Sequence, residues 1–223
     1  MKQSKLFIVL FPFIVMAIPW IYLAIVWNEL PAVVPTHFGW GGKPDEFASK
    51  PHIILVPAIM SAIAIGMYFL LRNIYKIDPK RYSQTTAVVL SKTAVVMVIF
   101  LCAVALFILY WTLHGKIEGL NFLFCILSLF LAYIGNLMHS VKPNYFAGFR
   151  LPWALENEEN WRKTHQLASK VWFFCGIAMA IISLILSTPL LIFILIPIIL
   201  VMILIPTIYS YKLYRRAIKD KVN

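Results

Sequence analysis

Leu6–Trp27 reads LFIVLFPFIVMAIPWIYLAIVW, 22 residues without a charge. As a helix rising about 1.5 Å per residue it is long enough to cross ~30 Å of hydrocarbon. Lys2 and Lys5 precede it as they would a signal peptide. The run is too long for an h-region, however, and its end, Ala24-Ile25-Val26-Trp27, lacks a small-x-small cleavage site, so it reads as a retained span. Five more runs nearly free of charge follow: Ile53–Leu71, Thr93–Leu113, Leu120–Leu137, Val171–Leu186 and Leu190–Tyr211. The fifth of the six is short, and a Lys170 side chain that snorkels lets its helix begin near Leu167 or before. Lipid offers no hydrogen bonds, so each run must satisfy its own backbone as a helix. The expected fold is all-α: a polytopic integral membrane protein with six transmembrane helices.

Composition agrees. Apolar residues make up 61% of the 223 and charged ones 13%, about half the share a soluble surface carries. That excludes a disordered chain, a disulfide-stapled secreted domain and an ordinary cytosolic enzyme. The net charge of +11 invites a nucleic-acid reading until the charges are placed. With six spans, both termini share a side with the segments around 72–92 and 139–170, and that side holds all Lys and Arg except Lys43, Lys50 and Lys116. Such a bias puts both termini in the cytoplasm and reads as topology and contact with anionic lipid, with no direct nucleic-acid partner. Cys102, Cys125 and Cys175 sit in three different spans and read as small buried apolar residues.

Along the chain three parts suggest themselves. Residues 1–71 form an N-terminal membrane domain of two spans and an outer loop; 72–119 a basic loop and the third span; 120–223 a C-terminal domain of spans four to six. Small residues recur at helical spacing in span two (Ala58, Ala62, Gly66) and span five (Gly176, Ala180, Ser183, Ser187). Both ridges read as helix-packing surfaces, with a homodimer as the alternative.

Two connections are longer than the rest, and long loops in compact proteins usually carry function. The outer one is Asn28–His52, NELPAVVPTHFGWGGKPDEFASKPH. Pro31 and Pro35 favour extended chain, and the Gly39–Asp45 run forces a turn. Between them Thr36, His37 and Phe38 offer an imidazole and an aromatic face to a ligand. The same stretch also reads as an interfacial hairpin anchored by Phe38, Trp40 and Phe47. His37, His52 and His114 share this side with Glu29, Asp45, Glu46 and Glu118, but no pair has metal-site spacing and there is no H-E-x-x-H. No metal or cofactor is expected.

The inner connection is His139–Lys170, HSVKPNYFAGFRLPWALENEENWRKTHQLASK. Asn157 is an N-cap candidate for a helix with Glu158 and Glu159 in its first turn, and Glu158–Arg162 and Glu159–Lys163 are paired at i, i+4. Trp161, His165, Ala168 and Trp172 share one face of that helix, which should lie in the membrane interface and continue into span five. Ahead of it Asn144, Gly148 and Arg150 read as a turn that aims a guanidinium. The chain contains no nucleophile elbow, Walker loop or dinucleotide fingerprint. The hydrocarbon stretches carry none of the charges that mark ion paths. Proline at 12, 19, 57, 197 and 206 does interrupt three spans, and broken helices can line a cavity. A binding or immunity receptor, a small transporter or lipid-interacting permease, and a membrane metalloenzyme are the classes to separate.

Both loops carry a resemblance. LPAVVPTHFGWGGKPDEFASK resembles the block of a widespread bacterial membrane domain of unknown function, through Pro35, Thr36, His37, Phe38, Gly42, Pro44 and Asp45. KPNYFAGFRLPWALENEENWRKTHQLA resembles the signature of SdpI-type immunity proteins, through Asn144, Gly148, Arg150, Pro152, Trp153, Asn160, Trp161 and His165. The resemblance covers most of the chain. It implies a multi-pass protein of the bacterial cytoplasmic membrane that binds or neutralises a secreted hydrophobic killing peptide, and is not an enzyme. It further implies signalling, by capture of a cytoplasmic autorepressor when toxin is bound. On this reading the first set of residues binds the toxin outside, and the second set binds the inner partner or braces the helices.

Overall fold

The computed structural model describes residues 2–38, 44–74, 84–114, 120–145 and 147–222. Among the described residues, six helices are long and apolar enough to cross a membrane: α1 (Lys2–Val26), α2 (Leu55–Asn73), α3 (Gln84–His114), α4 (Leu120–Met138), α6 (Glu158–Ile185) and α7 (Thr188–Val222). A one-turn helix, α5 (Pro152–Leu155), precedes α6. The two strands β1 (Val33–Phe38) and β2 (Pro44–Ser49) pair antiparallel between α1 and α2. The chain is a multi-pass membrane protein, and its surface agrees. Phe174, Ile185 and Phe193 are 66%, 74% and 77% exposed, tolerable only where the solvent is lipid.

α1 and α2 both pack on α3, while α4 and α7 both pack on α6; α3 against α4 is the thinner seam between these trios. The first trio holds a core of Met16, Ala64, Tyr68, Ala94, Val98 and Cys102. Nearer the hairpin, Leu23, Val26, Leu30, Val34, Ile53 and Leu109 form a second cluster. A third, Val89, Val141, Ala154 and Trp161, lies at the opposite end of α3. The two long connections therefore sit at opposite ends of the bundle.

α4 and α6 form the most extensive pair, and glycine is the reason. A Cβ on Gly135 would lie 2.5 Å from Cβ of Trp172, and one on Gly176 2.7 Å from the Ala132 backbone nitrogen. Apolar burial gives little drive between helices in lipid, so backbones this close recover stability through dispersion. Ala180 and Ser183 continue the buried ridge of α6 as the spacing predicted, while Ser187, expected on the same ridge, lies past the end of the helix and is exposed. The ridge of span two behaves otherwise. Ala62 and Gly66 are exposed, Gly66 has nothing within 4 Å of an added Cβ, and α2 packs instead through Pro57, Ala64 and Tyr68.

The prolines do not break their helices. α1 and α7 run unbroken through Pro12, Pro19, Pro197 and Pro206. Pro12, Pro19, Pro57 and Pro206 are fully buried. The helix from Asn157 is also continuous with span five, as expected, so α6 is one element of 28 residues.

Candidate functional site

At the hairpin end, the register pairs Val34 with Ala48, Pro35 with Phe47, His37 with Glu46 and Phe38 with Pro44. Thr36 is the extra residue of a bulge, which breaks the alternation and re-aims the side chains beyond it. Val34, 1% exposed, pins β1 to the core. Past the bulge, Nδ1 of His37 meets Oδ1 of Asp45 at 2.7 Å. Both side chains are at least half exposed, and the Asp45 hydrogen bond and charge hold the imidazole above its usual pKa. Five of the outer residues singled out in the sequence, Pro35, Thr36, His37, Pro44 and Asp45, thus lie on one small hairpin. Phe38 closes the ladder through its backbone, and Gly42, with the rest of the expected Gly39–Lys43 turn, lies outside the described residues.

Beneath the hairpin is a cleft of about 420 Å³. Pro35 and Thr36 line it from β1, His52 and Ile53 from the turn before α2, Val56 and Ile59 from α2, Ile108 and Trp111 from α3, and Leu123 from α4. Its wall is apolar apart from Thr36 and His52. The α3 and α4 residues were not legible in the sequence, because only the tertiary fold brings three spans under one loop. The position of Trp111 at the end of a span was the nearest signal.

The outer histidines do not converge. His37 takes Asp45, His52 turns back on Ser49 (3.1 Å to Oγ), and His114 meets the Tyr110 carbonyl at 2.8 Å. Among the described residues no three His, Cys, Asp or Glu side chains are grouped as metal ligands would be.

At the other end, the inner signature residues lock one another. Oδ1 of Asn144 accepts the Ala147 N–H at 2.7 Å and its amide donates to the Lys142 carbonyl, closing the turn. Gly148 follows at φ +96°, and a Cβ there would fall 2.1 Å from Nε2 of His165. That ring occupies the space for a purpose: Nε2 accepts the Phe149 N–H at 3.0 Å while Nδ1 donates to the Trp161 carbonyl at 2.9 Å. Both nitrogens are engaged, which fixes the neutral tautomer with its proton on Nδ1. Trp161 stacks on the same ring at 4.1 Å and donates its indole N–H to the Val141 carbonyl at 2.8 Å.

One turn away, buried Asn160 accepts from Ser210 Oγ (2.7 Å) and Thr164 Oγ1 (3.0 Å) through Oδ1, and donates to the Ser210 carbonyl. Trp153 donates to the same Ser210 hydroxyl. The loop, α5, α6 and α7 are thereby pinned at a single point. Pro152 starts α5 at its first position, and Asn157 caps α6 by accepting the Asn160 N–H, as its position suggested. Of the two expected i, i+4 pairs, Glu159–Lys163 forms at 2.7 Å and Glu158–Arg162 does not. Arg150 is exposed and donates to the Tyr145 carbonyl. Ser210 was missed in the sequence, being one serine between two tyrosines. Asn160, Trp161 and His165 are therefore core residues whose polar atoms are spent inside the protein, while Tyr145, Arg150, Glu156, Glu158 and Arg162 remain at the surface.

Comparison with known proteins gives the family context of these two ends. Residues 140–210 match the family described as SdpI/YfhL protein family. Residues 14–61, which include β1 and β2, match a domain of unknown function, DUF1648. The chain is similar to the immunity protein SdpI of Bacillus subtilis (strain 168), 26% identical over 206 residues, covering 91% of this chain and 94% of that one. An uncharacterized protein of Archaeoglobus fulgidus is 44% identical over 48 residues, 22% of this chain and 26% of its own. No solved structure matches. Homology to a membrane immunity protein thus runs over nearly the whole chain.

Proposed function

We propose that this chain, whose residues 140–210 match the SdpI/YfhL protein family, protects its cell by binding a secreted hydrophobic killing peptide at the hairpin end. The observation that supports this is the apolar cleft roofed by β1, with Thr36 and His52 as its polar edge and the exposed His37–Asp45 pair one residue beyond. An amphipathic peptide is already concentrated in the bilayer. It needs apolar wall for its buried face and hydrogen-bonding groups at the level of the headgroups, and the cleft offers both. Both termini face the cytoplasm in this reading and the hairpin faces outward. The inner surface around Tyr145, Arg150 and Glu156–Glu159 is where a cytoplasmic autorepressor would dock. The buried latch behind that surface holds its shape and does not itself touch a partner.

Survival tests this. In a sensitive host without its own copy, the chain raises survival against the killing peptide. Ile108→Trp, which fills the cleft, and His37→Ala each raise sensitivity about tenfold or more at equal membrane abundance, the loss of ~1.4 kcal/mol of binding. Undiminished protection by both variants refutes the outer site. Solute flux in proteoliposomes, unaffected by the peptide, would favour a permease.

A further inference from the structure

The seam between α3 and α4 is not uniformly closed. Midway along it Phe100 and Phe130 stack at 4.3 Å with 18° between planes. On the hairpin side of that stack lies the cleft already described. On the other side lies a second, separate cleft of about 430 Å³, lined by Ala87, Val88, Ser91, Lys92 and Val95 of α3 with Tyr133 of α4. Its wall is apolar except at Ser91, Lys92 and Tyr133, which lie in the halves of α3 and α4 nearer the basic end of the bundle. Exposed Lys92 forms no ion pair with any carboxylate among the described residues.

We infer that this cleft binds an anionic phospholipid from the surrounding bilayer, with one acyl chain along the seam and the phosphate at Lys92. Three physical points carry it. An apolar groove in a transmembrane surface cannot stay empty, since its lining would forfeit dispersion contacts on one side. Water is not an alternative occupant, because the groove offers it too few polar partners. The cation then selects among lipids. A zwitterionic headgroup brings its own ammonium beside Lys92, whereas a phosphate with a neutral substituent leaves the full attraction. The Ser91 and Tyr133 hydroxyls supply donors to phosphate oxygens, and Lys reaches that level by snorkelling. The lipid would act as a wedge where the two helix trios meet most thinly, so its loss should loosen the α3–α4 contact before either trio. This reading is independent of the peptide proposed above.

The test is a lipid-exchange measurement on the full chain in nanodiscs of phosphatidylcholine doped with phosphatidylglycerol. Native mass spectrometry counts the lipids that stay bound, and thermal unfolding follows stability. The wild type should retain phosphatidylglycerol in preference to phosphatidylcholine and unfold at a higher temperature with it. Lys92→Gln should reduce the preference about fivefold, the weight of one cation at an anionic surface; Lys92→Arg should keep it. Val95→Trp, which fills the groove, should abolish retention of that lipid while leaving helix content intact. Lys212→Gln, another exposed cation at the basic end, serves as the control and should change nothing. Equal retention of the two lipids by the wild type, or a loss in Lys212→Gln equal to that in Lys92→Gln, would overturn the site and leave only general attraction to a basic face.

Discussion

Gly148 and His37 show two uses of a single residue. Gly148 sits where a side chain is excluded twice, by its φ of +96° and by the His165 ring 2.1 Å from where a Cβ would be. Gly148→Ala should therefore destabilise by about 2–4 kcal/mol, from the left-handed backbone and the lost Phe149–His165 bond together. A thermal unfolding curve in micelles measures this, and a neutral outcome would mean the turn can rearrange. His37 behaves differently because it is exposed. Its pKa is raised above 6.5 by Asp45, so the pair's contribution is complete below about pH 6.5 and is lost as pH rises through the raised value. Proton NMR of the ring should give a midpoint above 6.5 that falls back towards it in Asp45→Asn. An unmoved midpoint would mean the pair does not persist in solution.

At the scale of elements, the α4–α6 contact and the face of α2 make a controlled pair. Gly176→Leu places atoms where the Ala132 backbone already lies, so the helices must separate, at a cost of about 3 kcal/mol or more. Gly66→Leu meets open space and should stay within about 0.5 kcal/mol of the parent. Denaturation in mixed micelles compares them. Similar losses in both would contradict the observed helix rotation. Both glycines belong to small-residue ridges of the same spacing, and the spacing alone could not say which ridge meets a helix. A ridge is packed only if the neighbouring helix approaches from that side, and this depends on loops and on the rest of the bundle. The hairpin is a similar case. Prolines and a glycine run indicated a turn, yet the bulge at Thr36 that brings His37 to Asp45 arises from the register, which no single strand specifies.

For the whole molecule, the basic end is expected to face the cytoplasm and the hairpin end the outside. With the native cysteines replaced, a cysteine at Glu46 should react with an impermeant maleimide in intact cells, and one at Lys142 only after permeabilisation. The reverse pattern would invert the orientation and move the peptide site to the wrong side of the membrane. The charge asymmetry that motivates the expectation is strong, because all but three of the 20 basic residues belong to one side.

The sequence by itself determined the solvent and the number of crossings. Both follow from uncharged runs about 20 residues long, a local property that no packing can undo once lipid is the surroundings. It also singled out two loops as candidates for a site, since proline, glycine and histidine stand out against an aliphatic background, and the Asn157 cap could be read from its neighbours. What the inner signature residues do was decided only in three dimensions. Asn160, Trp161 and His165 read equally well as a docking face or a brace until Ser210, Val141 and Phe149 were found at their polar atoms. The outer cleft is likewise tertiary, drawing its wall from a strand and three helices far apart in the chain. A polar atom's role depends on its partner, and partners 16 to 50 residues away are chosen by the folded bundle and not by local pattern.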